Sequence, residues 1–254
     1  MPLRSLRYRR RYGQHFLNSS RIAQRIVDFA QVDEQTVCEI GAGKGILTRL
    51  LAQRADRVFA VEIDPALAAR LNDGAASNVD VIHNDFLKIN IADFGTPVIV
   101  GNIPYSITTE ILDNLIAQKK NVSRAVMMLQ KEYGDRLLAS VGSPVYGALT
   151  IYANYYFFIQ KGFTVSARYF TPRPKVNSVV LSFRKKDPAF PPQVETDFFD
   201  FVKTVFRYRR KSLRNSLMQV VESVPDDVEK DILTKRPQNV TCKELYGLYR
   251  ACRV

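Results

Sequence analysis

The strongest constraint on the fold is one short stretch near the N-terminus, in which closely spaced glycines join a strand-like segment to a helix-like segment. Residues 37–40 are mostly apolar and favour a strand, and residues 46–51 have the apolar spacing of a helix. Gly41, Gly43 and Gly45 lie between them. Because glycine has no Cβ, the backbone can turn tightly there and a ligand can come close. The stretch predicts a nucleotide-type site in an α/β sheet, although G-x-G-x-G spacing also occurs in ordinary glycine loops.

An acidic residue on the next predicted strand makes this interpretation more specific. Residues 58–64 form a second apolar run that ends in acids. Glu62 lies about 20 residues beyond the glycines, where a carboxylate is well placed to hold the two ribose hydroxyls of an adenosine group. The glycine turn and Glu62 together predict a cofactor that contains adenosine.

Strand-like and helix-like segments alternate through the first half of the chain. The predicted helices are 20–30 (capped by Asn18 or Ser19), 46–51, 65–71, 109–118 and 131–139, and the predicted strands are 37–40, 58–64, 79–82, 97–101 and 124–129. This alternation predicts an α/β fold with a mostly parallel sheet covered by helices on both faces. Ligands of such sheets bind beyond the carboxyl ends of the strands. Glu62, Asp85 and Asn102 are all expected at those ends.

The second half of the chain is predicted to complete the sheet and then to become helical. Aromatic residues at 152 and 155–158 are interpreted as a strand packed on the core rather than a base-stacking platform, and residues 176–183 as a final strand. The charged, proline-rich segment 185–192 predicts a domain boundary. We therefore expect a catalytic domain over residues 1–186, with a basic N-terminal arm, and a small helical domain over residues 187–254.

The formal net charge of +12 is the strongest signal in the composition. Such an excess of positive charge favours a polyanionic partner, and it favours nucleic acid over an acidic membrane surface. Residues 4–11 are rich in arginine and contain no acid. A second basic cluster, with a tyrosine inside it, consists of Arg207, Arg209, Arg210 and Lys211. We predict that this second cluster contacts RNA; the alternative is a solvated helix face.

Cysteines, histidines and apolar runs argue against several other classes of protein. Cys38, Cys242 and Cys252 are few, odd in number and unevenly spaced, so neither a disulfide framework nor a zinc cluster is predicted. His15 and His83 are the only histidines, and no metal site is expected. No apolar run reaches the roughly 18 residues of a membrane span, and no signal-peptide core follows the basic N-terminus. The expected location is the cytoplasm.

The tetrapeptide Asn102-Ile103-Pro104-Tyr105 predicts the chemistry. An adenine amine is a poor nucleophile because its lone pair is delocalised into the ring. Hydrogen bonds from its two N–H groups to the Asn102 side-chain oxygen and the Ile103 carbonyl would favour a pyramidal nitrogen with its lone pair aimed at a methyl donor. Pro104 fixes φ and has no N–H, and Tyr105 is suited to stack on an extruded base. The alternative is an Asn-x-Pro turn that only ends a strand.

Several segments together resemble one known family, in the same order along roughly residues 13 to 220. They are GQHFL at 13–17, EIGAGKG at 39–45, VEID at 61–64, ND at 84–85, NIPY at 102–105, LQKE at 129–132 and FTPRPKVNS at 170–178. The chain resembles the ribosomal RNA adenine dimethyltransferases, in particular the small-subunit dimethyladenosine transferase branch.

The resemblance implies S-adenosylmethionine as the methyl donor and a Rossmann-like, seven-stranded class I methyltransferase sheet with a small helical C-terminal domain. It implies dimethylation of the N6 amine of two adjacent adenosines near the 3′ end of small-subunit rRNA, and a role in ribosome biogenesis. The expected partner is rRNA within an immature small subunit, and the expected oligomeric state is a monomer.

The resemblance also implies roles for individual residues. At the cofactor, His15 and Leu17 would line the methionine end, Gly41 and Gly43 would pass beneath it, Glu62 would bind the ribose, and Asp85 would bind the adenine amine, with Phe86 or Ile63 against the ring. Asn102, Ile103, Pro104 and Tyr105 would form the catalytic tetrapeptide that holds the target adenine, with Asn102 also next to the cofactor. His15 stands where many relatives have asparagine.

Two alternatives remain open from the sequence. The macrolide-resistance branch of the same family modifies one adenine of large-subunit rRNA, and NIPY with isoleucine second is common there. The segments at 129–132 and 206–217 favour the small-subunit branch instead. A non-catalytic RNA-binding assembly factor is the second alternative, but it predicts loss of the tetrapeptide or of the cofactor acids, and both are present.

Overall fold

The computed structural model describes residues 14–188, 190–221, 224 and 228–252. By its internal contacts the chain divides into two units, one of residues 1–134 and 158–185 and the other of residues 135–157 and 186–254. The last segment of the second unit begins at Lys186, and the predicted domain boundary lies between residues 186 and 187. Residues 135–157 were predicted to belong to the catalytic domain. They group with the C-terminal residues instead, because the helix Ala148–Tyr156 contacts the helix Glu195–Arg207.

The strands lie in the first unit apart from the first residue of β7. They are β1 (Phe16–Leu17), β2 (Thr36–Ile40), β3 (Arg57–Glu62), β4 (Val79–His83), β5 (Val98–Asn102), β6 (Arg124–Gln130), β7 (Phe157–Val165), β8 (Phe170–Thr171) and β9 (Ser178–Lys185). Seven of them form one sheet in the order β4-β3-β2-β5-β6-β9-β7, and β1 pairs with β8 in a second, two-stranded sheet. The parallel pairs are β4–β3, β3–β2, β2–β5 and β5–β6. The pair β6–β9 is antiparallel.

The helices are α1 (Ser20–Ala30), α2 (Ile46–Leu51), α3 (Pro65–Asn72), α4 (Thr108–Ala117), α5 (Lys131–Leu137), α6 (Ala148–Tyr156), α7 (Glu195–Arg207), α8 (Leu213–Leu217), α9 (Lys230–Thr234) and α10 (Cys242–Ala251). Local chemistry explains where several begin. The Ser19 hydroxyl caps α1, and Asp64 accepts two backbone N–H groups at the start of α3, just before Pro65. None of the helices in the described ranges is long and apolar enough to cross a membrane.

The central strands of the first unit are buried, as expected for parallel strands covered on both faces. Val37, Ile99 and Val126 on β2, β5 and β6 have no exposed surface. Helix α1 packs on this core with one apolar face, which consists of Ile22, Ala23, Ile26, Val27 and Ala30. Burial of such a face stabilises a helix more than its intrinsic propensity does.

Most predicted elements are confirmed with bounds within two or three residues, and the mostly parallel sheet is confirmed. The prediction of a strand over the aromatic run is wrong. Tyr152, Tyr155 and Tyr156 lie in α6, and only Phe157 and Phe158 begin β7. The three tyrosines are spaced i, i+3, i+4, which is the period of a helix face. Here this helical spacing prevails over the preference of aromatic residues for strands.

Candidate active site

A cavity of about 290 Å³ opens at the carboxyl ends of β2, β3, β4 and β5. It brings together most of the residues that the sequence singled out: His15, Gly41, Gly43, Glu62, Ile63, Asp85, Phe86, Asn102, Ile103, Pro104 and Tyr105. Leu17 lies outside it and lines a smaller adjoining cavity of about 30 Å³, whose wall also includes Gly41, Gly43 and Asn102. Residues separated by up to ninety positions therefore form one site at the predicted edge of the sheet.

The glycine turn is held in place by the end of β3. Gly41 and Gly43 both have positive φ, of 66° and 58°, which explains the need for glycine. The Glu62 carboxylate accepts the Gly43 N–H (2.7 Å) on one oxygen and the Asp64 N–H (2.9 Å) on the other. Burial raises the pKa of Glu62, and these two N–H donors oppose the rise by stabilising the anion. Glu62 is thus a buried acid that is oriented by backbone donors and lines the cavity.

Glu39 is a second buried carboxyl group beneath the turn, and the sequence analysis did not single it out as a site residue. It lies on β2 with 1% of its surface exposed. The Thr48 hydroxyl donates a hydrogen bond to it (2.6 Å). Burial raises the pKa of Glu39 to about 7, with a smaller contribution from the negative charge of Glu62. The signal available in the sequence was a charged residue inside an otherwise apolar central strand.

The far end of the cavity is formed by the loop after β4. The Asp85 carboxylate accepts the Leu87 N–H at 3.0 Å, and the Asn84 side chain accepts the Asp85 N–H at 2.8 Å. The second Asp85 oxygen has no hydrogen-bond partner in the described part of the chain. Phe86 is buried at the start of a short 3-10 turn and also lines the cavity. This end offers a hydrogen-bond acceptor next to an aromatic ring.

Asn102 is the last residue of β5, and its side-chain amide is oriented by the N-terminal segment. Its nitrogen donates to the His15 carbonyl oxygen (2.8 Å). Because the nitrogen is engaged there, the amide oxygen is left to accept a hydrogen bond from a ligand. The Ile103 N–H donates to the Met128 carbonyl oxygen on neighbouring β6 (3.1 Å).

Gly101 allows this strand end to pass close to β2, and the sequence analysis did not identify it. A Cβ there would lie 2.9 Å from the Ile40 carbonyl oxygen and 3.0 Å from Ile103 Cδ1. Both distances are shorter than normal van der Waals contact, so only glycine fits without a shift of the backbone. A glycine just before a polar strand end was the only sequence signal.

Pro104 and Tyr105 form a tight turn after β5. The Pro104 carbonyl oxygen accepts hydrogen bonds from the Ile107 N–H (3.2 Å) and the Thr108 hydroxyl (3.3 Å). The Tyr105 hydroxyl is hydrogen-bonded to the hydroxyl of fully buried Ser178 (2.9 Å). Burial raises the pKa of Tyr105, so the phenol stays protonated at neutral pH.

His15 links this turn to the two-stranded sheet. Its Nδ1 donates to the Pro172 carbonyl oxygen (2.6 Å), and its ring lies 5.4 Å from the Tyr105 ring, centroid to centroid. The neighbouring residues Phe16 and Leu17 pair with Thr171 and Phe170. The segment that carries His15 is therefore held across the cavity by pairing with a distant part of the chain.

The predicted RNA-binding residues belong to the second unit. Helix α7 ends at Arg207, and Arg209, Arg210 and Lys211 lie in the turn that precedes α8. All four are exposed, and Lys211 lies over the Tyr208 ring at 5.3 Å. Most of the basic run therefore lies beyond the end of α7, and its contact with RNA stays a prediction. In the described ranges no group of three or more His, Cys, Asp or Glu residues could hold a metal ion.

Comparison with known proteins gives a consistent family assignment. The model of the family described as "Ribosomal RNA adenine dimethylase" matches residues 5–242. A "Ribosomal RNA small subunit methyltransferase A" from Streptococcus pneumoniae is 41% identical over 83% of this chain and 77% of its own length. A protein of the same name from Bacillus mycoides is 38% identical over 87% of this chain and 80% of its own length.

Solved structures agree with this assignment. A dimethyladenosine transferase from Plasmodium falciparum is 26% identical and superposes with a TM-score of 0.79, over 93% of this chain and 96% of that one. The 23S rRNA methyltransferase ErmE is 25% identical with a TM-score of 0.67, over 94% of this chain and all of that one. The likeness therefore extends over nearly the whole chain.

Proposed function

The chain belongs to the ribosomal RNA adenine dimethylase family, and on that premise we propose that it transfers methyl groups from S-adenosylmethionine to the N6 amines of two adjacent adenosines near the 3′ end of small-subunit rRNA. The observation that carries the proposal is the single cavity in which the Asn102 tetrapeptide adjoins Glu62 and the glycine turn. One cavity thus offers acceptors for an amine beside acceptors for a ribose.

The residues around the glycine turn fit S-adenosylmethionine. Each Glu62 oxygen accepts one backbone N–H and retains a lone pair for a ribose hydroxyl. The second oxygen of Asp85 is available to an adenine amine, and Phe86 and Ile63 supply apolar surface for the ring. His15 and Leu17 lie near Asn102, at the end of the site where the methionine part of the cofactor is expected. When bound, S-adenosylmethionine supplies a methyl group attached to a positively charged sulfur atom.

The tetrapeptide prepares the target amine for attack. The Asn102 side-chain oxygen and the Ile103 carbonyl oxygen accept its two N–H groups, which favours a pyramidal nitrogen with a localised lone pair. Both acceptors are preorganised, because the Asn102 amide is held by His15 and the Ile103 backbone by Met128. Preorganised dipoles of this kind contribute to catalysis without reorganisation during the reaction.

Tyr105 and water complete the reaction. The Tyr105 ring stacks on the extruded adenine, and its hydrogen bond to Ser178 fixes its orientation. The nitrogen that has accepted a methyl group carries an acidic proton, which water removes. A strong general base is therefore not required, and Tyr105, whose pKa is raised by burial, does not act as one.

The small subunit is favoured over the large subunit as the source of the substrate. The relatives at 41% and 38% identity are named small-subunit methyltransferases, whereas the 23S rRNA enzyme is 25% identical. A purely non-catalytic assembly role is not favoured, because it predicts loss of the tetrapeptide or of the cofactor acids, whereas Asn102, Glu62 and Asp85 are present and line one cavity.

Three further features belong to the proposal. The substrate is rRNA within an immature small subunit, which the exposed cations Arg207, Arg209, Arg210 and Lys211 help to bind. The protein acts as a monomer. It works in the cytoplasm, which agrees with the odd number and uneven spacing of its three cysteines.

Mapping of the modified base tests the function. The protein is incubated with labelled methyl donor and with small or large ribosomal subunits that lack the modification, and the rRNA is analysed by mass spectrometry. We expect two adjacent dimethyladenosines near the 3′ end of the small-subunit rRNA. Label only in large-subunit rRNA would support the macrolide-resistance branch, and no label in either would refute the proposal.

The variant Asn102→Ala tests the mechanism. Loss of the acceptor oxygen is expected to lower kcat by about 10²-fold or more, as for loss of other preorganised polar groups. Cofactor affinity, measured by calorimetry, is expected to remain within a few fold of wild type. Asn72→Ala, at an exposed position, is the control; near-normal turnover by Asn102→Ala would refute the role of this side chain.

A further inference from the structure

A further cavity in the first unit lies between α2 and α3 and has no assigned role. It measures about 600 Å³ and includes Gly43 in its wall, so it adjoins the glycine turn from another side. Its apolar part includes Leu67, Leu71 and Val79, and its charged part consists of Lys44, Arg49 and Arg70. No aspartate or glutamate lines it. We call this cavity the α2–α3 groove.

The three cations of the groove lack neutralising partners. Among the residues that the structure describes, neither Lys44 nor Arg49 nor Arg70 forms an ion pair, whereas Arg54 and Arg57 nearby in sequence are paired with aspartates. The positive charge of Arg49 lowers the pKa of the buried Glu39, but the two side chains form no ion pair in the described part of the chain. Like charges around one groove repel each other, and a bound anion relieves that repulsion.

Arg49 is also held in a defined position. Its Nη1 donates to the Lys44 carbonyl oxygen (3.1 Å). A Cβ on Gly45 would lie 3.2 Å from the same nitrogen and 2.5 Å from Leu71 Cδ1. Gly45, with φ of 74°, therefore leaves room for both the guanidinium and α3. The remaining N–H groups of Arg49 stay available for a ligand.

We propose that the α2–α3 groove binds consecutive phosphodiester groups of the rRNA strand, outside the target adenosines. Guanidinium groups bind phosphate oxygens in pairs, and the apolar floor suits the sugars and base faces between the phosphates. Because Gly43 lines both the groove and the cavity that contains Asn102, the groove adjoins the proposed site of the target adenine. The identity of the RNA rests on the proposed function, but the phosphate contact rests on the groove alone.

The test compares two double variants with equal loss of charge. Arg49→Gln with Arg70→Gln removes two cations from the groove. Lys120→Gln with Arg184→Gln is the control, because both residues are exposed and lie at the opposite, amino end of β6. The probe is a fluorescent RNA oligonucleotide with the small-subunit 3′-end sequence, titrated at several salt concentrations. The salt slope is the change in the logarithm of the RNA-binding constant with the logarithm of the salt concentration. Each lost phosphate contact is expected to reduce its magnitude by about 0.7 for single-stranded RNA.

For the groove variant we expect a salt slope smaller in magnitude by about 1.4 and an RNA affinity at least about tenfold lower at low salt. The control variant should remain close to wild type in both quantities. Arg49→Lys with Arg70→Lys, which keeps the charge but not the paired hydrogen bonds, is expected to fall between them. Unchanged affinity, or equal losses in the groove and control variants, would overturn the proposal. An intact melting transition confirms that each variant is folded.

Two further measurements separate the alternatives. Calorimetry with S-adenosylmethionine is expected to give wild-type affinity in the groove variant; a marked loss would place the arginines at the cofactor site and overturn the proposal. Inorganic phosphate at constant ionic strength is expected to compete weakly with RNA. Tight phosphate binding that leaves RNA binding intact would identify a free-phosphate site instead. If the wild-type protein binds RNA without methylating it, the proposed function is refuted. The comparison of RNA affinities between the groove and control variants would still test the groove.

Discussion

Glu39 and Glu62 lie at neighbouring strand ends, yet the fold stabilises their charges differently. Glu62 accepts two backbone N–H groups, whereas Glu39 accepts only the Thr48 hydroxyl. Hydrogen bonds from N–H groups favour the anion, and burial opposes it. The balance leaves the pKa of Glu39 at about 7. Near neutral pH, this group is partly protonated beneath the glycine turn.

Glu39→Gln is expected to change the pH dependence of stability. Because the folded-state pKa lies above the value of 4.5 for an ordinary glutamate, the folded state binds a proton more tightly than the unfolded state. The stabilising contribution of protonated Glu39 is therefore fully present below about pH 4.5 and is lost as the pH rises through 7. The resulting decrease in the free energy of unfolding is on the order of 3 kcal/mol.

Urea unfolding of the cofactor-free protein between pH 5 and 8 measures this effect. Wild type should lose free energy of unfolding relative to Glu39→Gln as the pH rises. Glu110→Gln, at an exposed position, serves as the control and should keep the wild-type slope. Parallel curves for wild type and Glu39→Gln would show that Glu39 is ionised with an ordinary pKa.

Ser178 is expected to act through Tyr105. Ser178→Ala and Tyr105→Phe remove the same hydrogen bond, so each is expected to lower kcat about fivefold to tenfold, which corresponds to about 1 kcal/mol. The double variant should lose little more than either single variant, while the KM for S-adenosylmethionine stays unchanged. Fully additive losses in kcat would mean that Ser178 and Tyr105 act independently.

At the level of elements, the position of β5 relative to β2 decides where the tetrapeptide lies. The close approach at Gly101 puts Ile103 against the end of β2, and the pairing of β1 with β8 brings His15 to the side chain of Asn102. Two elements from distant parts of the chain thus orient one amide group. Neither contact follows from the sequence of β5 alone.

Gly101→Ala tests the fit between these strands. The added Cβ would lie 2.9 Å from the Ile40 carbonyl oxygen, so β5 must shift, and we expect a loss of about 1–3 kcal/mol of stability. Methyl transfer should fall as well, since the shift moves Asn102. Gly74→Ala is the control because nothing lies within 4 Å of its added Cβ. Equal melting temperatures for the two variants would contradict this account of Gly101.

On the scale of the whole molecule, the charge of +12 and the division into two units bear on RNA binding. The first unit contains the candidate active-site cavity, and the second contains the exposed basic turn after α7. Phosphate contacts contribute affinity that depends on salt and carries no sequence information. We therefore expect the basic turn to strengthen binding without choosing the target base.

Replacement of Arg207, Arg209, Arg210 and Lys211 by glutamine is expected to lower RNA affinity and to reduce the salt slope by about 1–3. Cofactor affinity should not change. The control replaces four other exposed cations of the second unit, Lys230, Arg236, Lys243 and Arg250. The same loss in both variants would assign the effect to net charge rather than to the basic turn.

The alternation of strands and helices, the position of the glycine turn and the candidate residues at the strand ends could all be predicted from local sequence patterns. These features depend on local rules, namely apolar periodicity, the conformational freedom of glycine, and helix starts marked by Ser19 and Pro65. Where local signals conflicted, as in the aromatic run of α6, the interpretation as a strand was wrong.

The contacts between the candidate residues depend on the folding of the whole chain. It paired the Asn102 amide with the His15 carbonyl oxygen, buried Glu39, placed Ser178 against Tyr105 and grouped residues 135–157 with the C-terminal residues. Such contacts join residues far apart in the chain. They are selected by the packing of the whole sheet and its helices, for which no local pattern exists.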